Sequence, residues 1–260
     1  MRGAGAMLCR LYLGLVLVFL YLPIAVMMAM AFNRSQLYEL PMQFDTKWFV
    51  ALMQNEKLLQ AGLNSVLIAI ANTVIATILG TMAALAFHRY RFGGRNLLQL
   101  LLLPPVTIPW LIIGIAMLVL FFWIGLGRNL YAILLGHVAL SLPYVIVVVG
   151  ARLKSFSETL EEAAATLGAS PWQTFWRVSL PVMAPGIVAA ALFAFAISFD
   201  QFQISRFLAP PGVSTLPVVI YSAIRQGYTP EINAISTIII LVSMGLMLVI
   251  ARLYKFGGER

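Results

Sequence analysis

Asp200 sits at the edge of a long apolar run, and an ionisable side chain in such a place is costly enough to be read first as functional. Its carboxylate can attract an ammonium group. Trp110, Tyr144, Phe199 and Phe202 can offer aromatic faces to the same cation, an interaction worth about 0.5–2 kcal/mol. Ser198 adds a hydroxyl two residues before the acid. The competing reading pairs Asp200 with Arg206 or with backbone donors and leaves the rings to packing. His137, Ser141 and Asp200 do not make a convincing hydrolase, because no Gly-x-Ser-x-Gly elbow and no metal-ligand spacing accompanies them. The expectation is therefore no catalytic residue and no metal. His137 has only Ser141 nearby where a proton relay would want acids, which favours a hydrogen-bonded structural histidine. The chain also lacks a Gly-x-x-x-x-Gly-Lys-Ser/Thr phosphate loop, so it does not cradle nucleotide in that way.

A second constellation lies in the polar stretch EEAAATLGASPWQTFWRVSLP, Glu161 to Pro181. Ser155 followed by Glu158 has capping-box spacing and predicts a helix start. Leu160, Ala163, Ala164 and Leu167 then fall on one face. Gly168 can end that helix in a left-handed conformation. Ser170, Pro171 and Gln173 restart one as N-cap, first-turn proline and reciprocal cap. The second helix passes Trp172, Phe175 and Trp176 toward Leu180 and Pro181. Two short helices around a small-residue corner make a knob whose alanines let another backbone come close, with Glu161 and Glu162 available to basic groups there. An amphipathic loop lying on a bilayer explains the composition equally well.

The elements that must position these residues belong to a membrane protein. Hydrophobic residues make up 62% of the chain and charged ones 10%, against about a quarter in a soluble domain. Six apolar runs are expected to span, at about 11–32, 63–87, 97–124, 130–150, 182–204 and 234–254, each supplying the ~20 residues a bilayer needs. The first is longer than a signal-peptide core and contains Pro23, so it reads as a retained anchor. Six spans place both termini on one side. Eleven Lys and Arg lie on that side and six on the other, which by the positive-inside rule puts both termini and the 161–181 stretch in the cytoplasm. The net charge of +8 then reflects anionic lipid headgroups and needs no nucleic acid. His88 to Arg95 reads as a tight basic turn. Pro104, Pro105 and Pro109 free backbone carbonyls in the third run, while Asn72, Thr73, Thr77 and Thr81 suit hydrogen bonding and close packing between helices. In the outer segment 33–62, Trp48, Phe49, Leu52 and Met53 have helical spacing, for an interfacial helix or a lid packed on the bundle. Cys9 is the single cysteine and excludes an internal disulfide.

Glu162-Ala163-Ala164, three residues, Gly168, nine residues and then Val178-x-Leu180-Pro181 resembles the EAA loop of permease subunits of ABC importers, with Val178 where that family usually has isoleucine. The Asn64-Ser65 pair opening the second run and the Pro104–Met117 stretch resemble the same family. From Ser198 onward, Asp200, Leu216-Pro217, Ile220-Tyr221-Ser222, Pro230-Glu231 and Asn233-Ala234 resemble the second permease subunit of spermidine/putrescine importers. The resemblance covers about residues 45–250. It implies an all-α polytopic fold of about six transmembrane helices, the type I ABC importer permease fold. An N-terminal helix and outer loop would occupy 1–62, and the transmembrane domain 63–260 would carry the coupling loop at 151–181. It further implies a bacterial inner-membrane location and a second, sibling permease subunit. Two ABC ATPase subunits would bind ATP and Mg in place of any cofactor in this chain, and a periplasmic or lipoprotein receptor would deliver solute. Glu161, Glu162, Ala163, Ala164, Gly168, Leu180 and Pro181 would couple to the ATPases, and Trp110, Tyr144, Ser198, Phe199 and Asp200 would line the path. Those importers often carry an acidic pair where this chain has Asp200-Gln201, so a different small solute stays open beside a polyamine. From another class, an ion-coupled secondary transporter would need mid-membrane carboxylates, and Asp200 is the one acid near a span interior.

Overall fold

The computed structural model describes residues 2–36, 39–102, 104–154, 156–157, 159–226 and 230–257, with side chains outside the description at 2–6, 8 and 246–257. The expected capping box of Ser155 and Glu158 therefore lies outside the described residues. Among the described residues the regular elements are all helices, joined by loops and one isolated bridge between Asn33 and Phe44. In order the chain forms α1 (Arg2–Met30), α2 (Lys47–Gln54), α3 (Glu56–Arg89), α4 (Arg95–Leu101), α5 (Pro104–Thr107), α6 (Trp110–Trp123), α7 (Leu130–Lys154), α8 (Thr159–Thr166), α9 (Pro171–Thr174), a π-helical turn (Phe175–Ser179), α10 (Leu180–Phe199), α11 (Gln203–Leu208), α12 (Leu216–Gln226) and α13 (Glu231–Gly257).

Among the described residues four unbroken helices are long and apolar enough to cross a membrane: Cys9–Met30, Glu56–Arg89, Leu130–Lys154 and Pro171–Phe199. The third expected span is not straight. Its halves, Arg95–Thr107 and Trp110–Trp123, bend by 111°. Pro109 cannot donate to the ladder and disfavours helical geometry at Ile108 before it, and Pro109 itself is extended, at φ −54° and ψ 129°. The fifth helix starts earlier than expected, at Pro171, and stops at Phe199, where Asp200 caps it with its backbone N–H on the Ala196 and Ser198 carbonyls. The sixth run lies on α13, apolar over Glu231–Gly245 among the described residues.

Backbone contacts separate two compact units, one of residues 1–59 with 220–260, the other Gln60–Val219. In the first, Asn33 organises the segment after α1. Its side chain donates to the Glu39 carbonyl at 3.0 Å and accepts from the Gln43 N–H at 3.2 Å, and its carbonyl takes the Trp48 indole N–H at 2.7 Å. Trp48 and Leu52, one turn apart, are buried while Met53 is 72% exposed, so α2 turns one face inward. Asn55 donates to Glu231 at the start of α13 at 2.9 Å.

In the second unit α3, α7 and α10 pack side by side. A Cβ added at Gly80 would meet Val145 Cγ1 at 2.5 Å, so α3 and α7 approach as closely as they do because residue 80 has no side chain. Asn72, fully buried on α3, donates to the Ser141 hydroxyl of α7 at 3.0 Å and the Ala194 carbonyl of α10 at 2.9 Å. One amide thus ties three helices, in the role expected of it. Thr73 instead bonds back to the Ala69 carbonyl of its own helix at 2.7 Å. The buried hydroxyls of Thr77 and Thr81 have no partner among the described residues. Two apolar clusters fill the unit: Ile133, Leu140, Ile204 and Leu208 with neighbours toward the Asp200 end, and Ala84, Val149, Leu153 and Met183 with neighbours toward the Arg89 end.

Candidate functional site

The knob is built by local caps. Gly168 takes φ +84°, donates its N–H to the Ala165 carbonyl at 2.9 Å, and leaves Ala169 N–H to bond Ala164 at 3.0 Å. This pair of bonds is the Schellman termination that the glycine predicts. Ser170 then caps α9 reciprocally: Gln173 N–H donates to Ser170 Oγ at 3.3 Å and Ser170 N–H to Gln173 Oε1 at 2.9 Å, with Pro171 in the first turn. From Pro171 the helix continues without interruption to Phe199, widened only at the π turn. That turn sits directly ahead of Pro181, whose ring crowds the carbonyl four residues back and whose nitrogen offers no proton.

The face turned inward is not the one the leucines mark. Leu167 is 89% exposed and Leu160 is exposed as well. Ala165, Ala169 and Glu161 instead line a cleft of about 270 Å³ with Arg89, Pro171, Thr174, Phe175 and Ser179. Within it Arg89 Nη2 and Ser179 Oγ both donate to the same oxygen, Oε1 of Glu161. Glu161 is thereby engaged inside the chain, with its side chain 25% exposed. Glu162, next to it, is exposed, and no side chain among the described residues holds its carboxylate. Ala163 is exposed, Ala164 and Leu180 are half-buried and Pro181 is exposed. Trp172, 70% exposed, meets Trp176 edge-on at 5.5 Å, so the loop also exposes an aromatic pair. Arg152 closes the base of the loop, donating through Nε and Nη2 to the Val182 carbonyl at 3.2 and 3.0 Å. Arg89 had read as a topology-setting charge and Ser179 had carried no reading, because their shared partner is distant in sequence from both.

At the opposite end of α10, Asp200 is exposed, and among the described residues it forms no ion pair with Arg206. The neighbouring polar groups are sealed. His137 Nδ1 pairs with Ser198 Oγ at 2.8 Å and Nε2 with Ser205 Oγ at 3.1 Å, so one imidazole joins α7, α10 and α11. All three residues are buried. Gln201, also buried, accepts the Gln203 N–H at 3.1 Å and thereby opens α11, while its Nε2 has no partner among the described residues. Phe199 stacks on Phe195 at 5.8 Å, and Trp110 packs against the Ile133–Leu140–Ile204 cluster. Tyr144 is half-buried on α7, seven residues and so about two turns from His137. The structure thus brings Ser198, Phe199 and Asp200 to one corner, turns Ser198 toward His137, and packs the half-buried Trp110 against the core. Asn64 and Ser65 at the start of the apolar part of α3 hold the segment before α12, through Asn64 Nδ2 to the Ser214 carbonyl at 3.1 Å and Leu216 N–H to Ser65 Oγ at 2.8 Å.

A bundle of apolar helices, one span broken at prolines, with a capped polar knob running directly into the next span, is the build of a membrane transport subunit. The family model for the inner membrane component of binding-protein-dependent transport systems matches residues 76–258, and the chain belongs to that family. The spermidine/putrescine transport system permease protein PotC of Escherichia coli K12 is 34% identical over 230 residues, 88% of this chain and 87% of that protein. The putrescine transport system permease protein PotI of the same strain is 35% identical over 229 residues, 85% of this chain and 82% of that one. Among solved structures, a bacterial ABC transporter that imports the acidic polysaccharide alginate has a chain covering 97% of this one, itself covered to 96%, with a TM-score of 0.71 at 17% identity. That likeness establishes a shared fold. The protein is therefore a multi-pass transport component of the inner membrane.

Proposed function

We propose that the chain is one of two permease subunits of an ABC importer for a small cationic solute, a polyamine of the spermidine/putrescine kind. The observation that carries the coupling half of this reading is the knob. Its Glu162-Ala163-Ala164-x-x-x-Gly168 spacing folds into a capped corner that leaves Leu167, Trp172 and the Glu162 carboxylate uncovered, an apolar and acidic face suited to a soluble partner. The substrate half is supported by the identity to two polyamine permeases over most of the chain.

In this reading two ATPase subunits bind ATP with Mg and engage the knobs of this chain and of a sibling permease. Both termini and the knob face the cytoplasm, and Asp200 faces the side where a periplasmic or lipoprotein receptor docks. Closure of the ATPase pair shifts the knobs and opens the permease pair outward. Hydrolysis returns it inward. Asp200 attracts the ammonium of the arriving solute at the end of α10, and Phe199 supplies an adjacent aromatic face. Gln201 favours a second reading, a permease of the same kind for a less highly charged solute, because its amide stands where a second carboxylate would suit a polycation.

The test is ATP-dependent uptake of labelled spermidine and putrescine into cells carrying the whole operon. Glu162→Lys is expected to abolish uptake and Asp200→Asn to weaken it. Absence of polyamine uptake, with ATPase subunits still co-purifying with the unmodified chain, would leave the permease role standing and reject the polyamine.

A further inference from the structure

We propose that the two adjacent glutamates of the knob divide its work. Glu162 meets the ATPase partner, whereas Glu161 is an internal latch that passes the knob's displacement to α3 and α10. The proposal rests on the reading of the knob as the ATPase dock. It begins from one atom. Glu161 Oε1 accepts from Arg89 at the last turn of α3 and from Ser179 at the end of the π turn, so a single oxygen joins α3, α8 and the helix that continues into α10. Ser179 is fully buried and its hydroxyl also lies 3.4 Å from the Thr174 carbonyl, so this donor end of the latch is held in place.

Without that bond, α8 would be joined to the longer helix on its C-terminal side by the Gly168 corner and by contacts around the cleft alone, and a left-handed glycine corner is a poor strut. With it, displacing α8 must also move Arg89 and Ser179. The helix from Ser179 to Asp200 has no break, and at 1.5 Å per residue it carries motion over roughly 30 Å. The π turn lies at the latch itself, where one residue's worth of slack in the ladder lets a helix change register. Arg152 bonded to Val182 holds the base of α10 against α7, so movement delivered at Ser179 acts on a helix clamped just beyond it. The latch is a charged bond between half-exposed groups, 38% for Arg89 and 25% for Glu161, which leaves it free to open and re-form.

The experiment uses the complete importer, purified and reconstituted with its receptor. It measures co-purification of the ATPase subunits and solute moved per ATP hydrolysed for Glu161→Gln, Arg89→Glu, Glu161→Arg and the Arg89→Glu/Glu161→Arg double swap. Glu161→Gln is expected to keep the ATPase subunits bound while solute moved per ATP falls about tenfold, within the range of a coupling free energy between sites. The double swap, which restores the ion pair with its signs reversed, is expected to recover most of that ratio. A role confined to packing would lower yield and melting temperature and leave the ratio unchanged, and that result would overturn the latch. So would loss of the ATPase subunits in Glu161→Gln, or a double swap no better than its singles. Should the unmodified chain bring down no ATPase subunit at all, the docking reading and the latch would fall together.

Discussion

The Gln60–Val219 unit carries two polar constellations, one at each end of α10, and they are made of opposite materials. At the Asp200 end a histidine and two serines are buried in mutual hydrogen bonds, a buried glutamine opens α11 beside them, and the aspartate is exposed. At the Arg89 end the joint is an arginine–glutamate pair with partly exposed side chains, and Leu167 and Trp172 of the same loop are exposed. A sealed network of uncharged bonds in an apolar surround fixes geometry, because any group it releases is left unpaired. A half-exposed ion pair is worth little as stability and is exchanged easily. The contrast teaches how differently the two ends are held: buried bonds fix the corner that presents Asp200, and a bond that exchanges easily joins the end that meets the knob.

His137→Ala should break the contrast most. It strands the buried Ser198 and Ser205 hydroxyls, so the purified chain should lose about 1–3 kcal/mol of stability, read as a lowered unfolding midpoint in detergent. ATPase subunits should still co-purify, since the knob is untouched. Ser170→Ala should give the reverse signature at the other end. Removing the α9 cap costs about 1 kcal/mol, read locally as faster amide exchange over 170–174 while exchange around His137 is unchanged. The smallest effect is expected at Thr81→Val. Its buried hydroxyl has no partner among the described residues, so replacing it with a methyl removes an unpaired polar group and should raise stability by up to about 1 kcal/mol. A loss comparable to that of His137→Ala would mean that this hydroxyl bonds in the working protein.

The parts of this design that were legible in the sequence are those set by near neighbours. Gly168, Ser170, Pro171 and Gln173 each satisfy a backbone group within five residues, so their spacing is enough to predict the corner. The apolar runs predict the spans for the same reason, since a helix needs its own residues alone to meet its backbone hydrogen bonds. The rest depends on partners that spacing does not reveal. Leu160 and Leu167 make a regular stripe, yet Arg89 and Ser179 draw Glu161 inward and turn that stripe out. Three prolines announce an interrupted span, and the 111° bend depends on what each half packs against. Ser198 looked like a lining hydroxyl because the histidine that takes it is sixty-one residues away.

The central claim is that the uncovered face of the knob is where the ATPase subunits sit, and site-directed crosslinking tests it most directly. In a Cys9→Ser background, Leu167→Cys should crosslink to an ATPase subunit in membranes, with a yield that changes when ATP is added. Tyr131→Cys, 74% exposed at the other end of α7, should give no such product. A crosslink from position 131 in place of 167, or none from 167 in a complex that still co-purifies, would contradict the assignment of the knob.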